Sequence, residues 1–181
     1  MASVRRTFCS FVPAEFIMKR IGILSDTHGS LNPGVLNFFT PVDEIWHAGD
    51  IGDIGIHDQL AALKPLRAVF GNMDGKEIRF ACRESLVFSV EGVKVVMIHI
   101  GGYPGHYDRK AKSIIETVRP KLFVCGHSHI LKVMYDRKYA MLTVNPGASG
   151  NSGFHHAITA VRFVIDGDQM KEMEVIDIPR K

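Results

Sequence analysis

A short apolar run that ends in a carboxylate and an imidazole two positions apart, Ile21-Gly22-Ile23-Leu24-Ser25-Asp26-Thr27-His28-Gly29, constrains this chain more than any other stretch. A run so short, apolar and β-branched reads as a fully buried strand, and the glycine behind it as part of a loop. The device then recurs. Glu44-Ile45-Trp46-His47-Ala48 runs into Gly49-Asp50, and Arg67-Ala68-Val69-Phe70 into Gly71-Asn72-Met73-Asp74. Lys94-Val95-Val96-Met97-Ile98 runs into His99, and Leu122-Phe123-Val124-Cys125 into Gly126-His127-Ser128-His129. Each run delivers an oxygen or nitrogen donor at its carboxyl end, which is the pattern of a built metal site.

Helix signals separate the first of these runs. Asn32-Pro33-Gly34 starts a helix through about Phe39, with Asn32 as N-cap and Pro33 in the first turn, and Pro41 stops it. Residues 56–63 read as an amphipathic helix ended by Pro65. The resulting βαβαβ alternation predicts parallel strands. Their carboxyl edge, where functional groups gather in such sheets, collects Asp26, His28, Asp50, Asn72 and Asp74. The second half has another character. Residues 85–90 and 93–98 form two strands around the Glu91-Gly92 turn. A helix over 108–118, stopped by Pro120, precedes the buried strand 122–125, and then strands over 131–135, 140–144, 157–165 and 170–178 follow with turns between them. The expected architecture is α/β of the α+β kind: two packed mixed β-sheets, a β-sandwich, flanked by α-helices.

The 181 residues suffice for one domain with its own core. An apolar share of 46%, a charged share of 23% and a net charge of only +3, with scattered Lys and Arg, do not indicate a nucleic-acid surface. Cys9, Cys82 and Cys125 form no CxxC pair and are odd in number, so a reducing compartment is the simpler reading. No apolar run approaches the roughly 18 to 20 residues that span a membrane, and the expected location is cytoplasmic. Residues 1–17 carry Arg5 and Arg6 but neither a long apolar centre nor a small-residue cleavage site. They read as a non-essential extension before a single domain over 18–181; a lid or contact segment using Phe8, Phe11 and Phe16 is the competing reading.

Taken singly, the donors differ in weight. Asp26 and His28, two apart, would point to one side in extended backbone and clamp one ion together. Asp50 follows a glycine and has a turn reading, yet a carboxylate can bridge two ions about 3.5 to 4 Å apart. Asn72 after Gly71 is ordinary loop chemistry by itself, although a neutral amide oxygen is a sensible hard ligand. His99 ends a run so apolar that a core histidine bonded to backbone competes evenly. His127-Ser128-His129 is the sharpest local signal, two imidazoles behind a buried strand. His47 is expected in or beside its strand, His57 on a helix and His155-His156 in a loop, none with a ligand role. His106 lies in a loop after His99, within reach of a substrate, although a solvated loop histidine is the plainer reading.

Asp-x-His, Gly-Asp, Gly-Asn-x-Asp, a strand-end His and Gly-His-x-His, in that order, resemble the calcineurin-like metallophosphoesterase superfamily. Asn145-Pro146-Gly147-Ala148-Ser149 and the compact size are most similar to its small prokaryotic phosphodiesterase branch. The resemblance implies that Asp26, His28 and His129 hold one divalent ion and Asn72, His99 and His127 a second, with Asp50 bridging. It implies the metallophosphoesterase-like sandwich too, and a pair of transition-metal ions, manganese foremost, with iron, zinc or nickel as alternatives. The activity it implies is hydrolysis of a small phosphodiester through a metal-bridging hydroxide, with Asp50, Asn72 and His99 at the reaction centre; His106 is a further candidate, from its loop and outside the resemblance. The alternative is a non-catalytic protein-binding scaffold on the same fold. A homo-oligomer stays open.

Two departures bear on mechanism. Many members of the superfamily carry His after the Gly-Asn, where it is thought to protonate the leaving group; here Met73 stands there, and a thioether has no proton to give. The strand-end His of the small branch is commonly followed by Gly-His, whereas Ile100-Gly101 follows His99.

Overall fold

Strand β1 (Lys19–Leu24) is the centre of the first sheet. It pairs in parallel with β2 (Glu44–His47), which pairs in parallel with β3 (Leu66–Ala68). On its other side β1 runs antiparallel to β11 (Ala157–Asp166), followed by the edge strand β12 (Gln169–Pro179). The second sheet has the order β4 (Ser85–Val90), β5 (Val93–Ile98), β8 (Leu122–Val124), β10 (Met141–Pro146), β9 (Leu131–Asp136). Its three central strands are mutually parallel and its two outer ones antiparallel to them. Helices α1 (Pro33–Phe38), α2 (Ile54–Leu63), α3 (Lys76–Ala81) and α4 (Arg109–Val118) and a small hairpin, β6 (Gly102–Tyr103) and β7 (His106–Tyr107), complete the chain. This computed structural model describes residues 18–151 and 156–180. The expected extension over 1–17 and His155 fall outside those residues.

The period of two along each strand builds four layers. Ile21 and Ile23 of β1 point between the sheets, where they meet Val95 and Met97 of β5, Val124 of β8 and Val144 of β10. Trp46 sits fully buried in the same layer, edge-on to Phe88 and Phe163, with its indole N–H donated to Glu44 Oε1 at 2.8 Å. Leu24 and Ile45 face the other way, onto Val35, Phe39 and Leu60, which belong to the α1 and α2 layer. Gly22 faces that way as well; a Cβ there would stand 2.8 Å from the Phe39 ring, so only glycine lets the helix end settle on the sheet. Val96, Ile98 and Phe123 pack against Ala111 and Ile115 of α4 on the opposite outer face. Two mixed sheets flanked by helices is thus the observed architecture.

The helix signals act as read. Asn32 Oδ1 accepts from the Gly34 N–H, with Pro33 at the first helical position. Helix α2 begins two residues earlier than expected because Asp53 Oδ1 accepts from the Gly55 N–H and caps it there. Helix α3 and the β6–β7 hairpin were not expected. The loop expected after His99 contains this hairpin, with His106 on β7.

Candidate metal centre

The carboxyl ends of β1, β2, β3, β5 and β8 meet at one edge of the sandwich, and all seven expected donors lie on the loops that leave them. Backbone bonds continue the pairing within each sheet past the strand ends here. Asp26 N–H donates to Gly49 O at 2.9 Å, His28 N–H to Asp50 O at 3.0 Å, and Gly29 N–H to Ile51 O at 2.8 Å. These bonds carry the β1–β2 pairing past the strands. Across the second sheet, Gly126 N–H donates to His99 O at 3.0 Å.

Asp26 and His28 do converge, but not as an extended pair. Asp26 has φ 55° and His28 φ 45°; Asp50, His127 and His129 are left-handed as well, at 54°, 69° and 56°. Five of the nine described non-glycine residues with positive φ are therefore candidate ligands. Such backbone costs on the order of 1 kcal/mol or more per residue and persists where the surroundings enforce it, most often at functional sites. Here each twist turns a side chain off its strand axis toward a common point.

The glycines before the donors make room for them. A Cβ on Gly71 would stand 2.0 Å from Asp50 Oδ1, one on Gly49 2.6 Å from the His99 ring, and one on Gly126 1.9 Å from Ser25 Oγ. Gly-Asp, Gly-Asn and Gly-His are close-packing rules as much as turn signals.

Two groups result: Asp26, His28 and His129 in one, Asp50, His99 and His127 in the other, each with its donor atoms within 4.8 Å of one another. In the first, His28 Nε2 and His129 Nε2 stand 3.2 Å apart. Asp26 Oδ2 accepts from the Ser25 hydroxyl and, at 3.0 Å, from the His127 N–H. Asp26 Oδ1 is buried and accepts no hydrogen bond, although Nε2 of His129, His28 and His99 stand 3.2, 3.9 and 4.0 Å from it. In the second, His99 Nε2 is 3.3 Å from Asp50 Oδ2 and 3.1 Å from Asn72 Oδ1, which brings Asn72 beside that group. His99 is also bonded to backbone, as the competing core reading required: its Nδ1 meets Ala48 O at 2.8 Å. A carbonyl can only accept, so Nδ1 carries the proton and Nε2 of the neutral ring keeps a lone pair for a cation.

The electrostatics match. Burial pulls the His99 imidazole down, but the Asp50 hydrogen bond and the Asp26 and Asp50 charges win and hold it above its ordinary value. The Asp26 carboxylate does the same for His129, against a smaller pull from burial. Burial would raise Asp50, yet the His99 contact holds it below the usual carboxylate range. Two buried carboxylates thus attract protons onto neighbouring rings, as expected where positive charge is called for. The mixed carboxylate, imidazole and amide donor set fits divalent transition metals.

Several residues outside the seven expected donors support the site. Asp74 Oδ1 accepts from Gly52 N–H and its Oδ2 from Gly71 N–H, locking the β2 and β3 loops together. Arg79 donates to the carbonyls of Gly71, Asn72 and Asp74. Asn145 Nδ2 donates to Gly126 O at 2.7 Å. His47, buried at the end of its strand β2, receives the Gly49 N–H on Nδ1 and gives Nε2–H to Thr27 Oγ1, which donates on to Ile51 O. Met73 is exposed and contributes its backbone N–H to Asp50 Oδ1 at 2.8 Å. His106 lines a cavity together with His127. His57 pairs with its neighbour Asp58 on α2, away from both groups; His156 lines another cavity with His127 and His129.

Residues 18–168 match the family described as Calcineurin-like phosphoesterase superfamily domain. The chain belongs to the calcineurin-like phosphoesterase superfamily. A Methanothermobacter thermautotrophicus protein named "Probable metallophosphoesterase" is 29% identical over 71% of this chain and 76% of its own length. Among solved structures, a conserved Streptococcus pneumoniae protein described as a predicted phosphoesterase superposes with a TM-score of 0.65 at 22% identity, covering 89% of this chain and 90% of that one. Vacuolar Protein Sorting 29 from Cryptosporidium parvum does so with a TM-score of 0.70 at 14% identity, covering 91% and 100%. At such identities the structural likeness speaks for the fold. The chain thus has the superfamily's fold and, in its own residues, two candidate metal-ligand groups.

Proposed function

We propose that this superfamily member is a hydrolase of small phosphodiesters that works with two divalent metal ions, manganese foremost, in the cytoplasm. The observation that carries the reading is Asp26 Oδ1, a buried carboxylate oxygen that no backbone N–H or hydroxyl reaches and that faces three imidazole nitrogens at 3.2 to 4.0 Å. A buried acceptor left unpaired costs about 1 to 3 kcal/mol, and a cation removes that cost. Asp26, His28 and His129 would hold one ion; His99 and His127 with Asn72 would hold the other, with Asp50 between. When bound, such ions would lower the pKa of a coordinated water toward neutrality and neutralise phosphoryl oxygens.

The chain's own residues keep this arrangement in place. Ser25 and the His127 N–H orient Asp26, the Met73 N–H orients Asp50, and Ala48 O fixes the His99 tautomer. Nothing at position 73 can protonate the departing oxygen. The leaving oxygen then departs unaided or takes a proton from water or from His106, which lines a cavity with His127. Esters with acidic leaving groups should therefore turn over faster than alkyl esters.

The test is metal analysis of the purified protein, then hydrolysis of bis(4-nitrophenyl) phosphate and of a dialkyl phosphate with added manganese. The expected outcome is bound metal, turnover of the aryl ester, a much lower rate on the alkyl ester, and a narrower gap in Met73→His. Equal rates on both classes with no effect of Met73→His would remove the account of the leaving group. The second reading is a protein-binding scaffold on this fold, which Vacuolar Protein Sorting 29 from Cryptosporidium parvum shares. Bound metal without turnover of any phosphoester would select it.

A further inference from the structure

The cavity that holds His106 and His127 encloses about 350 Å³, the size of a small-molecule site. Residues of the β6–β7 hairpin line it together with Ser128, Asn145 and Lys132. Lys132 is half-buried on the edge strand β9, opposite Asn145 in register. No carboxylate among the described residues pairs with its ammonium group. Instead Nζ lies 3.7 Å from the centre of the Tyr103 ring, a cation–π contact that holds the charge over the cavity. The acid in the cavity wall, Asp108, is committed elsewhere: its Oδ1 accepts from the Lys110 and Ala111 N–H groups and caps α4. Ser128 Oγ accepts from Asn145 Nδ2 and from the Ile130 N–H, so its own proton is directed to no described residue.

A half-buried cation without a counter-charge and a hydroxyl proton without an acceptor, facing one space beside His127, are complementary to an anion. We infer that Lys132 and Ser128 form a subsite for a second anionic group on the substrate, a carboxylate or phosphate a few bonds from the reacting phosphorus. The substrate class is thereby narrowed to phosphoesters that carry another negative charge on the arm lying in this cavity. This rests on the phosphoesterase reading above, but the subsite can be tested by binding alone.

Two chromogenic diesters with the same leaving group serve as probes: 4-nitrophenyl phenyl phosphate and its 3-carboxyphenyl counterpart. The wild type should prefer the carboxylated diester by about tenfold in kcat/KM, the worth of one charge-assisted hydrogen bond. Lys132→Gln should bring the ratio close to one, and Lys132→Arg should keep most of it. In parallel, the manganese-loaded protein is titrated calorimetrically with phenylphosphonate and 3-carboxyphenylphosphonate, which cannot turn over. Tighter binding of the carboxylated compound by the wild type and not by Lys132→Gln supports the subsite even if neither diester is hydrolysed, in which case the phosphoesterase reading falls alone. Turnover of both diesters at equal kcat/KM with equal binding of the phosphonates overturns the subsite and leaves the phosphoesterase reading standing.

Discussion

Asp26 carries two burdens at once: a left-handed backbone and a buried oxygen that accepts no hydrogen bond. Such a residue is tolerated for what it binds. Asp26→Asn keeps an acceptor for Ser25 and the His127 N–H, suits a positive φ, and removes the buried charge. The metal-free protein should gain about 1 to 3 kcal/mol in denaturant unfolding, while the stabilisation that added manganese gives the wild type disappears. A loss of stability in the metal-free variant would show that Asp26 Oδ1 is satisfied without a cation. His47 makes a pH prediction. Burial pushes its pKa down to about 4, against the opposing pull of Asp26 and Asp74. Because the folded value lies below that of the unfolded chain, the unfolded state takes up the proton first as pH falls. Stability is full above about 6.5 and is lost toward pH 4, by about 3 kcal/mol. Unfolding free energies of wild type and His47→Gln, measured with a chelator across that range, should show a shallower slope in the variant. Of this residue-level picture, the convergence of the seven candidate donors on one edge was legible because each follows an apolar run. The five left-handed backbones were not, since in sequence Asp-x-His reads equally well as extended.

Among the elements, strands proved easiest to read where hydrophobic run and turn chemistry agreed. Strands β4 and β5 fall on the expected residues around Glu91-Gly92. Helix α3 escaped because it is six residues long, starts at Gly75 without a side-chain cap, and buries only Ile78. The β6–β7 hairpin escaped because two-residue strands have no period to detect. What the sequence patterns could not disclose was why glycine precedes so many of the donors. That reason is a distance, and it can be tested. In Gly126→Ala the new Cβ would lie 1.9 Å from Ser25 Oγ and 2.8 Å from Asp26 Oδ2, atoms fixed in a buried network. Overpacking of this kind costs about 1 to 3 kcal/mol, and moving Asp26 should weaken metal binding about tenfold or more. Gly75→Ala is the control, since a Cβ there meets nothing within 4 Å. Thermal denaturation and metal titration of both variants decide whether the glycine before His127 is a packing requirement or a turn preference; equal behaviour would mean the latter.

At the scale of the molecule, each ligand group draws on both sheets. Asp26 and His28 leave β1 and Asp50 leaves β2, in the first sheet; His99 leaves β5, and His127 and His129 leave β8, in the second. Away from this edge the sheets are held by an apolar layer, which is non-directional and tolerates small shifts. At the edge they would be held by ions that bind the folded arrangement and not the separated strands. Binding to the folded state alone contributes about 2.7 kcal/mol when free metal is 100 times its dissociation constant. For a chain of this length that corresponds to roughly 5 to 10 °C in Tm. Chelation should therefore lower Tm by that amount per occupied site, and manganese should restore it. Hydrogen exchange gives the finer test, because a bridge between sheets must protect both. The amides of Asp26 and His28 on one side and of Gly126 on the other, all donors in bonds that extend the strands, should slow together when metal is added. Protection confined to one sheet would mean that the ligands of only that sheet hold the ion, and that the two groups do not join the halves of the sandwich.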